Sequence, residues 1–307
     1  MSQSGWTSLE SPFHQGERVI QERLGAREKM DKFGRRVIRE YMPEQHRQFY
    51  AQLSYLLVGT VDTSGNPWAS ILVGETGFLF SPDEYTLQVQ SNPLFGDPLN
   101  DNLEEGIDIG LLGIELHSRR RNRMNGVVTK LNPRGFTIQV RQSFGNCPKY
   151  IQPRQFELLD FDTNTPKPIY PFSKFLEKEK VMISNADTFF IATAYQNPSA
   201  GKTSGVDVSH RGGKTGFVKI NDEKILTIPD FAGNCHFNTF GNIELNPRAG
   251  LLFINFDKGS LLYLTGNAEV IWEGDEIKQY EGAERLLRFS LNHGYRVEGS
   301  LPIKYSV

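Results

Sequence analysis

The residues best suited to chemistry gather between positions 206 and 250. Val208-Ser209-His210-Arg211 runs into Gly212 and Gly213, a Gly-rich turn. Pro229-Asp230 ends a second extended run, and Asn234, Asn238, Thr239 and Asn242 follow it. Glycine lets backbone approach a ligand closely. Ser, Thr and Asn side chains donate hydrogen bonds, and a helix starting here would turn its N-terminus toward an anion. The implied chemistry is a grip on a phosphorylated ligand that uses little formal charge. His210 and His236 lie in the same stretch and could act as acid, base or donor. The plainer readings are an ordinary turn, helix capping and a structural histidine.

Two further sets sit in the first half. Gln142, Ser143, Cys147 and Lys149 follow a strand-like run, and Arg119, Arg120, Arg121 and Arg123 form a basic cluster expected at a hairpin tip. Such a cluster is either solvated or holds a phosphate. Cys235-His236 is a single pair and makes no metal site. No nucleophile elbow, HExxH, P-loop or dinucleotide fingerprint is present.

The elements that must position these residues read mainly as β. Sixteen Pro and 29 Gly in 307 residues fit a turn-rich architecture. Short apolar runs punctuated by turns predict strands across 55–142 and again from about 185. Helical spacing predicts one or two helices within 16–42, one near 44–51, a short one at 173–180 and a C-terminal one over 276–292. Residues 1–14 read as a loose arm. The net charge of −2 presents no basic field for nucleic acid. Two cysteines make no disulfide framework, the first residues lack a signal-peptide pattern, and no long apolar run is present. A cytoplasmic protein without a membrane span is the expectation.

An internal repeat organises the chain. Gly74-Glu75-Thr76-Gly77-Phe78 returns as Gly213-Lys214-Thr215-Gly216-Phe217, and Leu87-Gln88-Val89 aligns with Leu226-Thr227-Ile228, both at an offset of 139 (213 − 74, 226 − 87). Leu111-Leu112 aligns with Leu251-Leu252 and Gly126 with Gly266, at 140. Two similar barrels in one chain would form an intrachain pseudo-dimer. The halves differ where the second carries its Asn/Thr-rich stretch. The first has Asp97, Asp101, Glu104 and Glu105 there, which a phosphate would avoid.

The run NPRAGLLF after NTFGNI, preceded by DVSHRGG and IPD, resembles the pyridoxamine 5′-phosphate oxidase-like, FMN-binding split β-barrel family, best over 185–272 and more weakly over 46–154. The resemblance implies two tandem split barrels: a helical arm (1–42), a diverged first barrel (43–152), a connector (153–183) and a second barrel (184–307) with the main site. It implies FMN bound between the barrels by Val208, Ser209, Arg211, Gly212, Pro229, Asp230, Asn234, Asn238, Thr239 and Asn242, with Gln142, Ser143 and Lys149 reaching across. In the family an Arg-Lys pair clamps the phosphate; those positions fall here on Asn238 and Thr239, so charge must come from Arg211, Lys214, a helix N-terminus or the other half. The implied activity is an FMN-dependent oxidoreductase on a small molecule, with a nicotinamide nucleotide or a reductase as electron donor. His210 is the candidate catalytic residue, and the chain is expected to pair as a homodimer. A flavin carrier without turnover and a barrel with a decayed site are the competing readings.

Overall fold

The computed structural model describes residues 5–160, 162 and 164–306. Residues 1–4 of the expected arm lie outside them. Three helices open the chain: α1 (Gln15–Arg23), α2 (Arg27–Val37) and α3 (Glu44–Ala51). The first barrel comprises β1 (Tyr55–Val61), β2 (Pro67–Val73), β3 (Leu79–Phe80), β4 (Thr86–Val89), the short helix α4 (Leu99–Asn102), β5 (Asp108–Glu115), β6 (Arg120–Asn132) and β7 (Gly135–Gly145). The intervening stretch carries β8 (Gln155–Leu158), β9 (Ile169–Phe172) and α5 (Glu177–Ser184). The second barrel comprises β10 (Thr188–Tyr195), β11 (Gly205–Gly212), β12 (Lys219–Ile220), β13 (Ile225–Phe231), α6 (Asn238–Leu245), β14 (Arg248–Asn255), β15 (Ser260–Ile271) and β16 (Ala283–Val297), and β17 (Ile303–Ser306) pairs with β8.

The duplication is visible strand by strand. One antiparallel sheet runs β2-β1-β5-β6-β7-β4-β3 and the other β11-β10-β14-β15-β16-β13-β12, the same permutation twice. Even the irregularities repeat. A bulge falls at Asn125/Gly126 between β6 and β7 and at Thr265/Gly266 between β15 and β16. The repeated glycine has a reason: a Cβ at Gly126 or Gly266 would collide with a carbonyl of the neighbouring strand, Gln139 or Ser290.

Strand β1 is buried on both faces, and its alternation sorts side chains between two cores. Leu56 and Val58 enter the first barrel's interior with Leu111 and Met124. Leu57 turns the other way, into a third core between the barrels, where it meets Phe190, Ala192, Val208 and Leu252. In β10, likewise, Phe189 and Ile191 fill their own barrel. Each such side chain is worth roughly 1.5–3 kcal/mol of burial. The seam is two-fold in character. Gly110 of β5 packs on the backbone at Val206 of β11, and Gly250 of β14 packs on the backbone at Pro67 of β2. Any side chain at either glycine would force the barrels apart.

Four expectations are corrected. The C-terminal helix is absent: Ile277–Gln279 is a single 3-10 turn and Ala283–Val297 is the longest strand. Leu287, Phe289 and Leu291 alternate into the core, a period of two that the cluster Leu286-Leu287 disguised. The basic cluster is not a hairpin tip. Glu115 pairs with Arg120, so Arg121 and Arg123 lie within β6 and only Arg119 stays in the turn. The described part of the arm is not loose, because Trp6 and Phe13 are buried with Met30, Ile38 and Phe144. The connector helix begins four residues later than expected, at Glu177, after the edge strand β9. Among the described residues no helix is long and apolar enough to cross a membrane.

Candidate functional site at the seam

A cleft of about 350 Å³ opens where the first barrel's β6 and the segment after β7 face β11, the end of β13 and the start of α6. Arg121 and Arg123, two apart on β6, share a strand face by its period of two. The segment after β7 adds Asn146, Cys147, Lys149 and Tyr150; β11 adds Ser209 to Gly212; β13 and its loop add Pro229, Asp230 and Asn234; α6 adds Asn238 and Thr239; and β16 adds Glu284 and Arg285. Five cations thus face two carboxylates, Asp230 and Glu284. The cleft favours an anion.

A buried network holds the cationic wall. Arg123, 3% exposed, donates to Asp207 Oδ1 (2.8 Å), to the Val208 carbonyl (3.0 Å) and to Ser209 Oγ. Asp207 also accepts from Asn125 (2.8 Å) and Asn242 (2.9 Å), so both barrels contribute to one carboxylate. Thr239 Oγ1 lies 3.1 Å from Ser209 Oγ. On the other wall Arg211 pairs with Asp230 and stacks on Phe240, while Arg285 reaches Asp230 at 3.3 Å and also pairs with Glu284. Burial, offset by Arg211 and Arg285, leaves the Asp230 carboxyl raised above its usual range.

The approach to α6 is strained. Cys235 (φ 59°) and Phe237 (φ 61°) both occupy the left-handed region, which non-glycine residues enter at a cost. Phe237 is the residue before the helix and supplies no side-chain cap. The first turn of α6 therefore presents its N–H groups at the cleft without an internal acceptor. Behind it, α1 and α6 meet at Gly16 and Gly241, where neither backbone leaves room for a Cβ. That contact brings Glu17, 3% exposed, to the Asn238 amide and the His14 N–H (2.8 Å). Burial and nearby Asp207 push the Glu17 carboxyl well above the ordinary range, against hydrogen bonds from His14 and Asn238.

His210, 7% exposed, has a defined role in this geometry. Its Nδ1 lies 3.2 Å from Arg121 Nη1. A guanidinium only donates, so Nδ1 accepts and Nε2 carries the proton. Burial, then Arg121 and Arg211, holds the imidazole well below its usual pKa, and it is neutral. His210 is thus a hydrogen-bond donor to the cleft, not a base.

Several donors around the cleft are unmatched. Arg123 Nε, Asn146 Nδ2, His210 Nε2, Arg211 Nε and Arg285 Nη1 are all buried with no hydrogen-bond partner. Each is an N–H, so the missing partner is an acceptor-rich group.

Of the residues expected from sequence, the cleft gathers Ser209, His210, Arg211, Gly212, Pro229, Asp230, Asn234, Asn238, Thr239 and Lys149. Four lie outside its lining. Val208 is in the seam core, and its carbonyl holds Arg123. Asn242 spans Asp207 and Thr193 Oγ1 (3.0 Å). Gln142 donates to the Pro12 carbonyl (3.0 Å), and Ser143 Oγ meets His46 Nδ1 at 2.9 Å. Arg285, Phe237 and Glu17 were missed. Arg285 stands directly across from Asp230 in the β13–β16 ladder, a pairing hidden once 276–292 is read as helix. Among the described residues no group of three or more His, Cys, Asp or Glu is placed to hold a metal.

No family model matches the chain, and no curated protein does. Solved structures do. HupZ of group A Streptococcus aligns at 14% identity over 39% of this chain and 98% of its own, with a TM-score of 0.32. A candidate pyridoxamine 5′-phosphate oxidase from Lactobacillus delbrueckii aligns at 15% identity over 40% and 94%, also at 0.32. A FAD-binding protein from Mesorhizobium loti aligns at 12% identity over 42% and 98%, at 0.29.

Proposed function

We propose that this chain is a flavoprotein that binds one FMN in the seam cleft and serves as an oxidoreductase on a small molecule. The observation that carries the reading is the set of buried, unmatched N–H donors around a cleft with more cations than carboxylates. A phosphate supplies what those donors lack. Its holders would be Arg211 and Arg285, with Ser209, Thr239 and the open first turn of α6. These replace the Arg-Lys clamp that the resemblance leads one to expect at Asn238 and Thr239. When bound, FMN would exchange a hydride with its substrate at the ring. The chain's own part is to place it and to exclude water along the Phe237 and Phe240 side.

A second reading has an observation in its favour. His210 Nδ1 is occupied, and Asp230 and Glu284 are held in ion pairs, so neither the histidine nor these two carboxylates stands free to act as a base. That favours a flavin carrier reduced by a separate partner. An FMN titration followed by absorbance, on wild type and Thr239→Asp, tests binding. Loss of binding in the variant supports the site, and failure of wild type to bind removes both readings. Oxidation of NADH or NADPH by the loaded protein then separates enzyme from carrier.

A further inference from the structure

Charge in the cleft is not evenly compensated. Arg123 has Asp207, and Arg211 and Arg285 share Asp230, with Glu284 beside Arg285. Arg121 has none. Its Nε donates to the Cys147 carbonyl (2.7 Å) and its Nη1 to His210 Nδ1 (3.2 Å), both neutral acceptors. Among the described residues no carboxylate lies within ion-pairing distance of Arg121, and none pairs with Lys149, which stands exposed at the rim of the same cleft. Arg121 is half-buried, and a guanidinium partly withdrawn from water without a counter-charge carries a cost that a bound anion would offset. Burial, then neighbouring Arg123, pulls the Arg121 pKa down to about 10. The two neutral acceptors also do something specific. They fix the plane of the guanidinium and set the tautomer of His210, which leaves the partnerless Nε2–H of a side chain 93% buried at the cleft.

We propose that Arg121, the Nε2–H of His210 and Lys149 form an anion subsite for the carboxylate or phosphate group of a second ligand, distinct from the phosphate held at Arg211, Arg285 and α6. That the anion belongs to a second ligand rests on the flavin reading above; that an anion binds at Arg121 does not. The substrate class is then a small acid or phosphate ester whose charged end anchors at Arg121. Cys147 contributes only its carbonyl, as the acceptor that orients the guanidinium.

The test is calorimetric titration of inorganic phosphate and of malonate into wild type and Arg121→Gln, each with and without saturating FMN. With FMN saturating, so that the flavin phosphate site is filled, the expected result is a loss of about tenfold or more in anion affinity in the variant. FMN affinity should stay within about threefold, since the flavin phosphate has other charged donors. The variant should melt close to wild type, because Arg121 is only half-buried and makes no ion pair that the substitution would break. A preference for phosphate or for malonate supports the subsite either way and assigns its chemistry. Unchanged anion affinity overturns the proposal. So does an equal loss of FMN affinity, which would make Arg121 a ligand of the flavin itself, or loss of anion binding in wild type once FMN is present. If wild type binds no FMN but binds anions through Arg121, the flavin reading falls and the subsite stands. Should Arg121→Gln melt lower and lose both ligands, Arg121→Lys decides: anion binding restored by the retained charge supports the subsite, and continued loss overturns it.

Discussion

Duplication places two equivalent crevices at the seam, and they have come to opposite ends. The cleft described above is lined by Arg123 on β6, Arg211 on β11 and Asp230 on β13, with Asp207 of β11 and His236 before α6 buried behind it. The repeat offsets put Tyr263, Asp97, Trp68, Leu72 and Ser91 at the corresponding places (123 + 140, 236 − 139, 207 − 139, 211 − 139, 230 − 139). There the Tyr263 hydroxyl donates to Asp97 Oδ2 (2.8 Å), Leu99 N donates to Asp97 Oδ1 (2.8 Å), and Tyr295 packs against both Tyr263 and Trp68. Ser91 turns back to the Val73 carbonyl (2.6 Å). Helix α4 has only four residues, and Ser300, just before β17, ties down the loop at Phe95 (3.1 Å). One crevice keeps its donors unmatched. The other pairs Tyr263, Asp97 and Ser91 internally and becomes core. The strand orders agree, so a shortened helix and a handful of side chains decide whether a seam binds or merely holds.

The comparison can be broken or sharpened by experiment. The largest effect should come from what the two ends share. Gly110→Val and Gly250→Val each drive a side chain into opposing backbone and should cost about 3 kcal/mol or more, read as a fall in melting temperature or loss of folded protein. A large loss at only one of the two would deny the two-fold character of the seam.

Next come the paired positions 97 and 236, which should oppose each other in pH dependence. His236, buried among Phe13, Phe33 and Phe144, is lowered to about 4 by burial and then Arg123. Its stability contribution is present above the unfolded value near 6.5 and is lost as pH falls toward 4. Asp97 is raised to about 6 by burial, against hydrogen bonds from Leu99 and Tyr263. Its contribution is present below the unfolded value near 3.8 and is lost as pH rises through 6. Each is worth at most about 3 kcal/mol. Denaturant melts between pH 4 and 7 should show His236→Gln removing acid sensitivity and Asp97→Asn removing the opposite slope. Shifts of the same sign would refute the assignment.

Arg285→Ala should weaken FMN binding about 10- to 100-fold, or roughly 1.4–2.8 kcal/mol, in a fluorescence titration. The smallest effect belongs to the closed crevice. Tyr263→Phe removes one hydrogen bond to Asp97 and should cost about 1–2 kcal/mol of stability while leaving FMN affinity untouched. A change in FMN affinity there would mean that the closed crevice also communicates with the ligand.

The strands and their duplication were legible because they obey short-range rules: apolar runs of strand length, turn residues between them, and repeated glycines at bulges. Much of the cleft was legible for the same reason, since Ser209, Arg211, Asp230 and Thr239 sit at the ends of recognisable elements. What was not legible depends on tertiary pairing. Leu286-Leu287 adjacent in sequence imitates a helix, and only the ladder with β13 reveals Arg285 opposite Asp230. The roles of Glu17 and Asn238 depend on a contact between Gly16 and Gly241 that no local pattern announces.

That contact also bears on the order of synthesis. Glu17 and Asn238 are 221 residues apart, and Gln21 reaches the His236 carbonyl across 215. The opening helices therefore leave the ribosome long before their docking surface exists. A ribosome adding about 5–20 residues per second imposes a delay of roughly 10–40 seconds, during which the apolar faces carrying Phe13, Ile20 and Met30 must wait or be shielded. The cleft is finished only when helices made early dock on a segment made 221 residues later.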